Sequence, residues 1–434
     1  MTKISVFSIV VFGIALSLAI PSFPTIAAAV EYHVKENADR KGNGSQSSPW
    51  RSIQQALKSG KLRPGDTLFL HPGYYGSLIL KKAKNSAPLT ITTSTANRAR
   101  FDRIYISASQ NWIIKNLEIS GSFATSYKKR KMVDIDKGSR SITLENLDIH
   151  SFPDTRSWSK EDWKKKASDG IRSRGEDIKI LNNNIRNVGN GITITGSNSV
   201  IHHNLVDRFS ADGMRGLGNY LTFSSNTVKN CIKVDKNHDD GFQSWSRDKN
   251  GKTGRGVVKG IKLIGNRFIA SDDPNALTRC TMQGIGLFDG MYEDWIIANN
   301  LVVVDHWHGI TVMGAKNVRI INNTVVDPDD RKPGPAGIKI LDHKKGFPSS
   351  GNVVANNIAA SFGKNRTRGL YSNNLIIRNP QYEFVDPSTG NFELVPNSAA
   401  RQSANPLFLP EFDILGRIRA KDKKGDLGAF QDGK

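Results

Sequence analysis

A Gly–apolar step recurs down the middle of this chain: Gly170-Ile171, Gly191-Ile192, Gly213-Met214, Gly241-Phe242, Gly284-Ile285, Gly309-Ile310 and Gly337-Ile338. Subtracting consecutive glycine positions gives steps of 21, 22, 28, 43, 25 and 28. A period of about 20–30 residues built on short strands marks a β-solenoid. In a solenoid each repeat stacks on the next, so residues at equivalent positions form rows.

A second pattern lies between the glycines. Short alternating strands end in Asn, as in Trp112–Ile119, Ile142–Ile149, Ile178–Ile185, Leu263–Phe268, Trp295–Leu301 and Val318–Val325. Alternation marks strands with one buried face. Asn tolerates left-handed backbone and suits the bend between two strands, and stacked Asn side chains can bond as a ladder. A single coil cannot bury its inner face alone. Stacking at about 4.8 Å puts roughly nine or ten coils between Leu89 and Ile377, a rod on the order of 45 Å long. The ends differ from the body. Ser48-Pro49-Trp50 opens an amphipathic helix through Leu57, with Ser48 as its cap, that closes the N-terminal end. The stretch from Tyr382 onward is irregular and is expected to wrap the last coils.

The segments PGDTLFLHPGYYGSLIL (64–80), GITITGSNSVIHHN (191–204) and GDLGAF (425–430) resemble the opening, body and closing sequences of the pectate-lyase-like superfamily. The resemblance implies an all-β fold, a single-stranded right-handed parallel β-helix with an N-terminal capping helix. The expected organisation is a signal peptide at 1–29 and one domain at 30–434. Within that domain the cap covers about 30–66, the coils about 67–380 and the wrapping segment about 381–434.

Lys3, the apolar run to Ile20 and the small residues at 27–29 read as an export signal, so the mature chain is expected to start near Val30 and to be secreted or periplasmic. No later segment is apolar enough to span a bilayer, so no membrane insertion is expected after cleavage. The formal charge of +21 points to a polyanionic partner. Export argues against nucleic acid and favours an acidic polysaccharide, bound by a monomer. Cys231 and Cys280 precede neighbouring glycine steps; a disulfide and two buried thiols both fit the sequence.

Aligning on the glycines yields rows. The outward row reads Arg172, Thr193, Arg215, Gln243, Gly286, Thr311, Lys339. Two residues later it reads Arg174, Thr195, Leu217, Trp245, Phe288, Met313, Leu341. The residues leading into the strands are Asp169, Asn190, Asp212, Asp240, Gln283, His308, Ala336. The densest spot is Asn237 to Trp245, flanked by Asp212 and Arg215 before it and by His306, His308 and Lys339 after it. The candidate catalytic residues are therefore Arg215, His238, Asp240 and Lys339, with Arg215 placed within reach of Asp240. The candidate substrate-binding residues are Arg172, Arg174, Asp212, Asp239, Gln243, Trp245, Gln283, His306 and His308. Basic insertions at 127–131, 158–166 and 249–259 are read as flanking one end of this face.

Two reactions suit these residues. β-Elimination on a uronate polymer needs a cation for the carboxylate, a base for C5 and an acid for the leaving oxygen. Arg172, Arg215 and Lys339 are candidate neutralisers; His238, Lys339 or an arginine is the candidate base. The charge favours this reading, and the resemblance narrows it to alginate-lyase-like enzymes. C5 epimerisation shares the first step. Alternatively, Asp212-Gly213, Asp239-Asp240-Gly241, His308-Gly309 and Lys339 resemble the motifs of polygalacturonase-like hydrolases, whose carboxylates supply acid and base. The match is imperfect, because Ser210-Ala211 precedes Asp212 and an extra coil carrying Gln283 intervenes. A non-enzymatic glycan-binding surface protein is the third class. No cofactor is firmly expected. Asp239 and Asp240 suit Ca²⁺, but two carboxylates are too few to assign an ion.

Overall fold

The computed structural model describes residues 28–273, 279–329, 332–363, 369–419 and 424–432, so the expected signal segment lies almost wholly outside it. Three long parallel sheets carry the fold. The first has 13 strands, from Glu31–Val34 to Gly369–Ser372; the second has 11, from Arg100–Phe101 to Leu375–Ile376; the third has 11, from Ser77–Lys81 to Ser361–Phe362. The chain visits them in rotation, and each circuit adds one strand to each sheet. The result is a parallel β-helix around one apolar core.

All seven glycine steps fall on the third sheet, and their apolar residues are register partners in one buried row: Ile171, Ile192, Met214, Phe242, Ile285, Ile310 and Ile338. The glycines mark a close approach. A Cβ on Gly213 would sit 2.2 Å from Val228 Cγ1, and one on Gly309 would sit 2.4 Å from Val325 Cγ1. The second sheet's β-branched side chains therefore exclude any larger residue there.

The solenoid starts earlier than the sequence suggests. Glu31–Val34 pairs with Thr67–Leu70, so the expected cap already supplies the first strand of the first sheet. The helix is also shorter than expected. It spans Ile53–Lys58, capped by Ser52, whose Oγ accepts from Gln55 N at 3.1 Å. Ser48–Trp50 is not helical because Trp50 bridges Val34 and stacks on Tyr32, which holds that stretch extended.

The bend between first and second sheets is a two-residue device. Asn116, Asn146, Asn182, Asn299, Asn322 and Asn356 take left-handed backbone, with φ between 50° and 64°. The following residue points inward. From coil to coil, Asn183, Asn204, Asn226, Asn266, Asn300, Asn323, Asn357 and Asn374 form a ladder of amide-to-amide bonds of 2.8–2.9 Å in all but one step, at 3.0 Å. Asn266 Oδ1 accepts from both the backbone N and Nδ2 of Asn226. Asn266→Ala would leave those two buried donors unmatched. The expected loss is about 2 kcal/mol, read as a lower urea midpoint at unchanged slope.

Insertions cluster at both edges of the third sheet. Residues 127–130 and the helix Lys160–Lys166, which carries a capping box from Ser159, precede its strands. Cys231, which ends the Thr227–Cys231 strand of the second sheet, and Cys280, just before the Gln283 strand, are joined in a disulfide. The basic segment from Lys249 to Lys259 instead follows the Asp240–Trp245 strand. It therefore lies at the opposite edge, not at the same end as the other insertions. The third sheet is thus a strip walled on both sides. The C-terminal segment covers the outer face of the second sheet, where Phe384, Phe392, Leu427 and Phe430 pack with Leu301, Val303, Val326 and Ile358.

Candidate functional site

The outward row of the third sheet runs Tyr105, Asp134, Arg172, Thr193, Arg215, Gln243, Gly286, Thr311, Lys339, each in register with the next. Its first part is locked in ion pairs. Arg172 donates to both oxygens of Asp134, at 3.0 and 2.9 Å, and Arg103 donates to the same carboxylate at 3.2 Å. Arg174 pairs with Asp136. Both arginines read as substrate ligands are therefore committed to the scaffold.

Further along, the acidic residues turn under the surface. Asp212, Asp239 and Asp240 are 1, 2 and 0 % exposed. Arg215 Nε donates to Asp212 Oδ2 at 2.5 Å, so this arginine is held by the carboxylate of its own coil and not by Asp240. Asp212 Oδ1 accepts from the backbone N of Asp240 at 3.1 Å. Gln243 Nε2 donates to Asp240 Oδ2, and Lys233 Nζ donates to Asp239 Oδ2, both at 2.9 Å. The remaining oxygen of Asp239 and that of Asp240 are buried without a hydrogen-bond partner. Burial raises all three carboxyl pKa values, that of Asp239 to about 6 in spite of Lys233. Mutual repulsion pushes Asp240 up further.

Gly286 makes room for Asp240. A Cβ there would lie 2.3 Å from Asp240 Oδ1 and 2.5 Å from Phe288 Cε2. Gly286→Ala should displace the carboxyl or the ring and lower stability by about 2 kcal/mol in chemical unfolding. A register shift after Ser244 pairs Trp245 with Asp289, and not with Phe288 as the simple repeat implies. The irregularity re-aims the side chain, as bulges do. Phe288 packs edge-on against His308, with centroids 4.8 Å apart.

His306, His308, Thr311 and Lys339 form a second group. The imidazoles of His306 and His308 stack at 5.1 Å. His306 Nδ1 accepts from His308 N at 3.0 Å, and His308 Nδ1 shares a proton with Thr311 Oγ1 at 2.9 Å. Burial lowers their pKa values to about 4 and about 3, aided by the charges of Lys339 and His238, so both rings are neutral at pH 7. Burial also lowers the Lys339 pKa. His238, exposed on the turn before Asp240, leans the same way and pairs with Gln283 at 3.4 Å. Gln283 Oε1 is buried and unmatched. Turning its amide over would give that oxygen the His238 Nδ1 proton.

The two groups do not converge. Arg215 and Lys339 are four ladder steps apart through Gln243, Gly286 and Thr311, about 19 Å between their backbones. The extra coil carrying Gln283 supplies one of those four steps. Asp239 and Asp240 do not make a cage for Ca²⁺, since Lys233 and Gln243 each hold one of their oxygens and a hard cation takes six to eight. Asp239 does lie beside Cys231 and Cys280, whose sulfurs are spent on each other. Sequence reasoning missed Lys233, Phe288 and Thr311 as site residues. The repeat shows Phe288 and Thr311 in its rows; Lys233 acts from a turn outside the repeat.

A family profile described as "Right handed beta helix region" matches residues 169–359. The fold of this chain is a right-handed parallel β-helix. Among solved structures, this β-helix is similar to the A-module of mannuronan C-5 epimerase AlgE6 from Azotobacter vinelandii. The TM-score is 0.50 at 12% identity, covering 75% of this chain and 93% of that one. It is also similar to pectate lyase Pel9A, with a TM-score of 0.46 and 15% identity over 94% of this chain and 98% of that one. A third, a rhamnogalacturonan lyase, has a TM-score of 0.44 and 13% identity, covering 82% and 91%. At these identities the likeness concerns the fold. No curated protein matches by sequence.

Proposed function

We propose that this β-helix is an exported lyase that cleaves a uronate-containing polysaccharide by β-elimination. The observation that carries this reading is an inversion of burial on the third sheet. The carboxylates Asp212, Asp239 and Asp240 lie beneath the surface, while His238 is exposed and Lys339 partly exposed. A hydrolase needs carboxyl groups in contact with the glycosidic oxygen and the attacking water. An elimination needs a cation and an unprotonated base at the surface.

In this reading Lys339 neutralises the C6 carboxylate and makes the C5 proton more acidic. His238, with Nδ1–H held by Gln283, takes that proton on Nε2. The electron pair forms the C4–C5 double bond, the C4–O bond breaks, and the departing oxygen receives the proton from the His238 imidazolium. Neutral His306 and His308 line the site without adding positive charge to it. The net charge of +21 suits a polyanionic substrate, and the disulfide suits an oxidising compartment.

The test is incubation with alginate, pectin and glycosaminoglycans. Ultraviolet absorbance from the new double bond supports the lyase. New reducing ends without that absorbance indicate a hydrolase, inverted C5 centres without cleavage an epimerase, and binding alone a glycan-binding protein. Any of these last three overturns the reading.

A further inference from the structure

We infer that the third sheet carries a second, separate acidic-sugar subsite, built from Trp245, Arg215 and Arg247 and remote from the reacting end. Trp245 is the last residue of the Asp240–Trp245 strand and is half-buried. Two guanidinium groups attend this one indole. Arg215 lies 5.6 Å from the ring centroid and Arg247 lies 5.5 Å from it. Cations over an indole face are held by its quadrupole, and an indole also presents a flat apolar surface to a sugar ring.

The charges of this group are unbalanced. Arg215 is tied to Asp212 through Nε alone, so its terminal nitrogens remain to serve a ligand. Arg247 is exposed and pairs with no carboxylate among the described residues. The acid nearest in register to Trp245 is Asp289, and Lys344 already pairs with it. A bridge between Arg247 and Thr253 pins the start of the insertion that carries Arg247. A planar fork with free N–H groups matches a carboxylate bidentately. Two such forks at one aromatic plate fit a uronate unit, its ring against Trp245 and its carboxylate between the arginines.

The placement sets its role. Four ladder steps, about 19 Å, separate the Arg215 strand from the Lys339 strand. One sugar ring cannot span that length, so this subsite holds a unit of the same polymer several residues from the bond that breaks. It rests on the polyuronate reading proposed above and adds that long chains are gripped at two points. Two tethered contacts raise affinity without new chemistry.

The experiment is calorimetric titration of the full exported chain with uronate oligosaccharides of graded length, from disaccharide to hexasaccharide. Wild type should bind the hexasaccharide at least tenfold more tightly than the disaccharide. Arg247→Ala should remove most of that gain, and Arg247→Lys, which keeps the charge but loses the fork, should fall between. Equal hexasaccharide affinity in wild type and Arg247→Ala overturns the subsite, whatever the enzyme does to the polymer. Length-dependent binding lost in Arg247→Ala, with no unsaturated product, upholds the subsite and defeats the lyase. If no oligouronate binds, both fail.

Discussion

Lys339→Ala should reduce kcat/KM on the cleaved polymer by on the order of 10²–10³-fold, the usual cost of removing one group aimed at developing charge. Lys339 is the cation among the groups that act on His306 and His308, and Arg215 is too far to replace it. Its environment adds a signature in pH. Burial lowers the Lys339 pKa from its ordinary 10.5. A neutraliser works only when protonated, so activity should be lost as pH rises through that lowered value. Lys339→Arg keeps its proton throughout. It should recover part of the activity and lose the alkaline limb. If Lys339 were instead the base, activity would rise through the same pH range, and the arginine variant would be dead. Profiles of kcat/KM for wild type and the arginine variant separate the two.

The contrast between rows and contacts explains what the sequence could show. Register was readable because the glycine step is forced: Gly213 and Gly309 face valine methyls that leave no space for a Cβ. Once those glycines are aligned, Arg215, Gln243, Thr311 and Lys339 fall into one outward row, as the ladder shows. The Asn bends were readable for a similar reason, since a left-handed residue followed by a buried amide is needed at every corner. Contacts within the row were not readable. Arg215 could turn to either neighbouring carboxylate, and it turned to Asp212 because Asp240 bends into the notch over Gly286. Arg172 looked free because its partner Asp134 lies one coil before the repeat was aligned. Burial was the least visible property. Asp-Asp-Gly reads as a polar turn, yet Asp239 and Asp240 are among the most buried acids of the chain.

Those buried acids carry the second large effect. Asp239→Asn should change the pH dependence of stability by about 3 kcal/mol, because the Asp239 pKa is raised to about 6 from an ordinary 3.8 and each pKa unit is worth about 1.4 kcal/mol. Burial is the leading cause; Asp212 and Asp235 add repulsion, and the single bond from Lys233 does not compensate. The folded state therefore holds the proton more tightly than the unfolded chain. Wild type keeps this contribution in full below about pH 4 and loses it as pH rises through about 6. Asparagine can still accept from Lys233 but does not titrate. In urea unfolding, the stability of wild type minus that of Asp239→Asn should thus fall by about 3 kcal/mol between pH 4 and pH 8. Subtracting the variant cancels the carboxylates remote from Asp239, while Asp240, which Asp239 pushes up, adds a smaller change of the same origin. Lys233→Met supplies the opposite case. It removes the one group that pulls the Asp239 pKa down, so its loss of stability with pH should be steeper than wild type. If the Asp239→Asn difference stays flat across that range, Asp239 titrates as an ordinary surface carboxylate and the burial inversion on which the elimination reading rests is lost at that residue.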